Sequence, residues 1–189
     1  SMNMKKSTAL CTAALLCLFS FAACGEAQTP QLANELQIPL DSVTSVSISY
    51  DEESITFHES DSGSLVLREY MTENKSGYHA QVSESGGRLQ ISEGGKPFFG
   101  NGFTRRIEVD LPAGYSQSLT VTSTSGEIDL GDAALDLSLL RMDSTSGTIA
   151  VDHAAASEIH LSTTSGTMDL GRIEADAIRL ETTSGTVPG

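Results

Sequence analysis

The feature that most constrains this chain is a phrase it repeats four times near its end. Ser123-Thr124-Ser125-Gly126 returns as Ser144-Thr145-Ser146-Gly147, then as Thr163-Thr164-Ser165-Gly166 and Thr182-Thr183-Ser184-Gly185. The glycines are spaced by 21, 19 and 19 residues. Each phrase follows an alternating apolar pair: Leu119/Val121, Leu140/Met142, Ile159/Leu161 and Ile178/Leu180. The first three also precede one: Ile128/Leu130, Ile149/Val151 and Met168/Leu170. Alternation of this kind is the mark of a strand with one buried face. A single such unit cannot bury its own apolar side, so neighbouring units must stack. The expected fold is therefore all-β: a single-domain β-solenoid, parallel β-helix-like, with short coils of about 19–21 residues. Successive coils would lie about 4.8 Å apart, with equivalent residues in columns. Glycine at the corner suits a bend that other residues resist.

Two further columns carry hydroxyls. Ser123, Ser144, Thr163 and Thr182 have inward parity. A buried hydroxyl left unpaired costs about 1–3 kcal/mol. Each should therefore bond a backbone group or the hydroxyl of the next coil. Thr124, Thr145, Thr164 and Thr183 point outward and form a surface threonine ladder. Threonine packs well on exposed strands, and this structural reading is preferred to a carbohydrate-binding face. Ice binding is disfavoured because the next outward column, Thr122, Asp143, Ser162 and Glu181, is too charged.

Upstream of the repeats, from Val43 onward, the pattern also has period two. Short strands are expected around Val46/Ile48/Tyr50, Ile55/Phe57, Leu65–Leu67, Ala80–Val82, Leu89/Ile91 and Ile107–Leu111. Turn clusters lie between them, at Asp51-Glu52-Glu53, Asp61-Ser62-Gly63-Ser64, Ser85-Gly86-Gly87 and Gly94–Pro97. Such regular spacing of strands and turns supports an all-β chain.

The N-terminus has a different character. Lys5-Lys6 precedes a run of small and apolar residues from Ser7 to Ala23, which reads as an export signal and is short for a membrane-spanning helix. It ends in Phe21-Ala22-Ala23-Cys24-Gly25, which resembles a bacterial lipobox, with Phe21 where leucine is usual. That resemblance implies cleavage before Cys24 and diacylglycerol attachment to Cys24. The three cysteines are Cys11, Cys17 and Cys24, so removal of residues 1–23 leaves Cys24 without an intramolecular disulfide partner. The expected organisation is a lipoprotein signal over residues 1–23, a tether over 24–42 and the β-domain over 43–189. The residues from Gln31 to Leu36 admit a short helical turn within the tether. Ser1 ahead of Met2 is no natural start.

Charge excludes some partners. The chain carries 11 Lys+Arg against 25 Asp+Glu, a net charge of −14. Loss of Lys5 and Lys6 with the signal makes it more negative still. Such acidity argues against nucleic acid and against electrostatic docking on anionic lipid. The search for reactive groups gives no catalytic residue, metal site or cofactor. His58, His79, His153 and His160 lack metal-ligand spacing, and the carboxylates of Asp51-Glu52-Glu53 and Glu59/Asp61 read as solvated turns. Asp129 and Asp169 occupy equivalent outward sites, with Ala150 interrupting their column. No nucleophile elbow or phosphate loop is present. Phe98, Phe99 and Phe103 lie in a glycine-rich segment and are expected to cap an open face of the coil stack, in preference to forming an exposed contact patch.

The phrase Arg106-Ile107-Glu108-Val109-Asp110-Leu111-Pro112-Ala113-Gly114, together with the recurring T-S-G-x-I/V/M-x-L motif, resembles the bacterial "putative adhesin" family, a domain of unknown function. The resemblance spans residues 43 to 189 and implies a β-solenoid associated with the cell envelope, with no catalytic residues to carry over. The expected protein is a non-enzymatic cell-surface lipoprotein on the extracytoplasmic face of the cell membrane, an adhesin or envelope scaffold. Alternatives are an envelope-stress or signalling accessory that binds a partner protein and, less favoured, a carbohydrate-active enzyme. Expected partners are the membrane, through Cys24, and an envelope protein or glycan. If the native chain stops at Pro188-Gly189, its last coil offers unpaired strand edges and end-to-end self-association is expected.

Overall fold

The computed structural model describes residues 28–99, 102–131, 133 and 135–184. Cys24 and the fourth motif glycine, Gly185, lie outside these residues. The first strands are β1 (Gln31–Pro39), β2 (Ser45–Ser49), β3 (Ser54–Ser60) and β4 (Ser64–Met71). After a short 3-10 turn come β5 (Gln81–Ser85), β6 (Arg88–Ser92), β7 (Arg105–Pro112) and β8 (Ser118–Ser123). The last are β9 (Ile128–Gly131), β10 (Asp136–Ser144), β11 (Thr148–Thr163) and β12 (Thr167–Thr182). All belong to one 12-stranded sheet that curls into two facing walls.

The repeats pair in parallel and in register. Along one wall Val46 of β2 meets Leu119 of β8, Leu119 meets Leu140 of β10, and Leu140 meets Ile159 in the second half of β11. Along the other, Ile107 of β7, Ile55 of β3, Ile128 of β9, Ile149 of β11 and Met168 of β12 follow one another. These columns face each other and form the core, with every residue named here buried. β11 and β12 each run 16 residues and pass from one wall to the other without a break. Ile178 and Leu180 hold the same column in β12 but remain 48% and 43% exposed.

The corners show why glycine recurs. A β-carbon placed on Gly147 would overlap the carbonyl of Gly126, and one on Gly166 would overlap the carbonyl of Gly147. Successive repeats approach so closely at this edge that only hydrogen fits between them. The buried hydroxyls beside them are satisfied as expected. Ser123 Oγ accepts from the Gly126 N–H at 3.0 Å, Ser144 Oγ from Gly147 at 3.0 Å and Thr163 Oγ1 from Gly166 at 2.9 Å. Each hydroxyl thus closes its own corner while facing the core. Thr124, Thr145, Thr164 and Thr183 are exposed, and the corner backbones bond from repeat to repeat, as in Ser146 N–H to Thr124 O and Ser165 N–H to Thr145 O.

The N-terminal half departs from the order of the repeats. The β2–β3 pair lies between β8–β9 and the later β6–β7 pair, so spatial order is not sequence order. Two reversals of chain direction accompany this. The turn after β3 sends β4 back antiparallel onto β7, and Gly86-Gly87, with φ of 59° and 81°, folds β5 antiparallel onto β6. Three sequence expectations need correction. Residues 31–36 form no helical turn, and the segment assigned to a tether over 24–42 contains β1, which pairs antiparallel with β4 from Gln31–Met71 to Pro39–Ser64. Alternating Leu36 and Ile38 pack against the core, which holds this strand in place. Phe98 and Phe99 cap nothing, being 93% and 88% exposed; only Phe103 is tucked in, edge-on to Tyr78.

Gly147→Ala should lower stability by about 2 kcal/mol, the scale of overpacking in a filled core. Gly63→Ala, where a β-carbon meets nothing within 4 Å, should leave it unchanged. Urea unfolding followed by far-ultraviolet circular dichroism measures both.

Candidate functional site

Two groups of polar side chains stand out, one buried and one exposed. The buried group grows from the same corner geometry. Register places Ile55 beside Ile128 and Ser49 beside Thr122, so Glu53 occupies the position of Gly126 one repeat away and Tyr50 that of Ser123. The Gly126 position is in fact pressed against the Glu53 carbonyl. With β6 and β7 on its other side, Glu53 turns its carboxylate to Arg105. Glu53 Oε1 lies 2.9 Å from Arg105 Nη2, and both side chains are almost fully buried. Glu93 Oε2 also lies 2.9 Å from Arg105 Nη2, and Lys96 Nζ is 3.2 Å from Glu53 Oε1. Arg105 Nη1 donates to the carbonyls of Tyr78 and Gly95. Glu53 Oε2 accepts from the N–H groups of Asp51 and Glu52.

Next to it, buried Glu69 accepts from Tyr50 Oη at 2.9 Å, from Ala80 N–H at 2.7 Å and from Asn34 Nδ2 at 2.9 Å. Burial, reinforced by Glu69, pushes the Tyr50 phenol far up. Asp51-Glu52-Glu53 is therefore not a solvated turn throughout: Glu53 is an interior residue. The sequence did carry a signal for this. Glu53 is in phase with inward Ile55 and Phe57, Arg105 with Ile107 and Val109, and Glu69 with Leu65 and Leu67. Charges at inward parity on neighbouring strands are complementary partners. Apart from Arg105 Nε, which has no partner among the described residues, their polar atoms bond one another and the backbone, which makes the cluster a plug joining the N-terminal strands to the repeats.

Burial works against ionised Glu53, but the Arg105 guanidinium and its hydrogen bond outweigh it and hold the carboxyl below the usual range. Burial and the neighbouring Glu53 push Glu93 upward.

The exposed group lies on the outward face of the wall built by β8, β10, β11 and β12. Arg141, His160 and Arg179 are register partners on successive strands. Beside them Asp143, Ser162 and Glu181 form the parallel column read from the sequence. Arg141 Nε donates to Asp143 at 2.8 Å, Arg179 to Glu181 through Nε and Nη2, and Ser162 Oγ to Asp143 at 2.5 Å. Together they line a shallow groove of about 300 Å³. Exposed pairs of this kind contribute about 0–1 kcal/mol to stability each, so they can be exchanged for bonds to a ligand at small cost. Sequence reasoning found the acidic column but missed the basic one, which alternates with it. Elsewhere, Asp129 accepts from the Gly131 N–H, and the histidines are not gathered. Among the described residues no group of three or more His, Cys, Asp or Glu could hold a metal ion.

A curled all-β sheet with registered parallel repeats and a polar ladder on one wall defines an all-β repeat domain. The chain belongs to the Toastrack DUF4097 family, which matches residues 43–188. Among solved structures it is similar to a "putative cell adhesion protein" from Clostridium sporogenes, with a TM-score of 0.61 at 8% identity over 84% of this chain and 98% of that one. That likeness shows a shared fold. A "putative adhesin" from Parabacteroides merdae gives a TM-score of 0.42 at 13% identity over 83% of this chain and 80% of that one. No curated protein matches the chain.

Arg105→Met should cost about 3–5 kcal/mol, because it strands buried carboxylate. Glu53 has a depressed carboxyl pKa in the fold, so its stabilising contribution is present above the ordinary carboxylate range and lost as pH falls through the folded value. Glu93, shifted upward, contributes in the opposite sense. Glu53→Gln should therefore be less stable at neutral pH and lose less stability on acidification than the parent, as measured by urea midpoints between pH 7 and 3.

Proposed function

We propose that this protein is a non-enzymatic lipoprotein, anchored through Cys24 to the extracytoplasmic face of the cell membrane, that acts as an adhesin or envelope scaffold. Its repeats wind as the coils of a β-solenoid, and their stiffness holds the outward wall in a fixed pattern. The observation that carries the reading is the registered ladder of Arg141, His160 and Arg179 beside Asp143, Ser162 and Glu181. Equivalent polar groups repeat at the strand spacing along an open groove, which suits an extended ligand with repeating hydrogen-bonding groups, such as an envelope glycan or an extended stretch of a partner protein. The name carried by the similar Clostridium sporogenes structure agrees with a role in adhesion. The displaced carboxyls, Glu53 and Glu93, are bound to Arg105 and Lys96 in the plug, so they supply structure in place of acid–base chemistry.

The test is binding by the full chain to a glycan array, paired with a pull-down from cell envelopes. Arg141→Ala combined with Arg179→Ala should reduce retention roughly tenfold, the equivalent of about 1.4 kcal/mol, with thermal unfolding unchanged. Retention equal to the parent's would remove this wall from the account, and turnover of an arrayed polysaccharide would contradict a non-enzymatic role.

A further inference from the structure

Phe98 and Phe99 are 93% and 88% exposed, and their rings meet edge-on with centroids 4.9 Å apart. Two adjoining phenylalanines left in water form an apolar patch of the kind that marks a contact surface. Their position in the fold indicates one. Gln28, the first described residue, lines a shallow cavity of about 120 Å³ together with Pro97, Phe99 and Phe103. Backbone bonding brings the same elements together. Gln31 of β1 is the register partner of Met71, and the next residue, Thr72, donates its N–H to the Thr104 carbonyl at 3.1 Å. The start of the domain therefore lies beside the segment that carries the phenylalanines.

Only residues 25–27 separate Gln28 from Cys24. Four residue steps reach at most about 14 Å. A lipid on Cys24 would hold Phe98 and Phe99 within that distance of the bilayer, plus the small offset between Gln28 and Phe99. We infer that Phe98 and Phe99 dip into the membrane interface and act as a second contact that fixes the domain's orientation on the bilayer. This rests on the anchoring of Cys24 proposed above. An acyl anchor alone lets the domain pivot, whereas a second apolar contact beside it restrains the pivot. The chemistry favours neutral lipid. The chain carries a net charge of −14, and Lys96, the cation next to the pair, is already engaged by Asp51, Glu52, Glu53 and Glu93.

The chain contains no tryptophan, so Phe99→Trp introduces a single fluorophore. Full-length protein carrying this change is purified with its lipid and reconstituted into phosphatidylcholine vesicles with brominated acyl chains. Thr145→Trp, at an exposed corner, serves as the reference. Mass spectrometry of the N-terminal peptide reads the acyl group separately. The expected result is a diacylglycerol on Cys24, a blue-shifted Phe99→Trp emission quenched at least twofold, and an unquenched Thr145→Trp. A lipidated protein whose two tryptophans are equally insensitive to bromine overturns the membrane contact and leaves the anchor standing. A chain with no acyl group on Cys24 overturns the anchor and, with it, the contact.

Discussion

The structure depends on how closely one repeat lies against the next at the Ser-Gly corner. The carbonyls of Gly126 and Gly147 occupy the space that a β-carbon on the following repeat's glycine would need. That contact fixes the stacking distance along one edge and, with it, the register of both walls. Since side chains alternate between faces, a slip of one residue would turn every aliphatic outward. Glycine at one edge and aliphatic columns in the interior therefore specify the same register independently. The inward hydroxyls of Ser123, Ser144 and Thr163 make this edge compatible with a dry core, each bonding the N–H of its own corner glycine.

The same corner explains how the repeats join the rest of the domain. In the β2–β3 unit the glycine position is filled by Glu53 and the small hydroxyl position by Tyr50. These larger side chains reach the strands on the far side, where Arg105, Glu93 and Glu69 receive them. The plug thus marks the place where uniform repeats give way to the N-terminal strands. Replacing such a buried network with apolar residues of the same shape can be neutral for stability. Its contribution here is positional, since an ion pair between Glu53 and Arg105 forms only when β3 and β7 are in the observed register.

Much of this was legible in the sequence because repetition and alternation are local signals. The apolar pairs, the corner glycines and the bonded inward hydroxyls lie where period and parity put them. The rest depends on non-local pairing. Nothing in the order of residues says that β2 and β3 lie between β8–β9 and β6–β7, because that order rests on pairing between strands distant in sequence. β1 was hidden by the prolines and polar residues around it, and its strand form rests on the partner supplied by β4. Glu53 was read by its acidic neighbours as a turn residue, although its phase with Ile55 placed it inside. Phe98 and Phe99 lie in a segment without period, where sequence gives no face to assign. The acidic column of the outward wall was legible, and the arginine–histidine column beside it followed once strand direction and register were known.

Disulfide trapping across the repeats tests the stacking most directly. Ala150 and Asp169 are register partners on the outward side of β11 and β12, while Thr167 lies two residues out of register on the same strand. With Cys11, Cys17 and Cys24 replaced by serine, mild oxidation should join Ala150→Cys to Asp169→Cys within one chain, because partners on adjacent strands fall within disulfide reach. Ala150→Cys with Thr167→Cys should remain reduced. Trapping of the second pair in preference to the first would contradict the register on which the account rests.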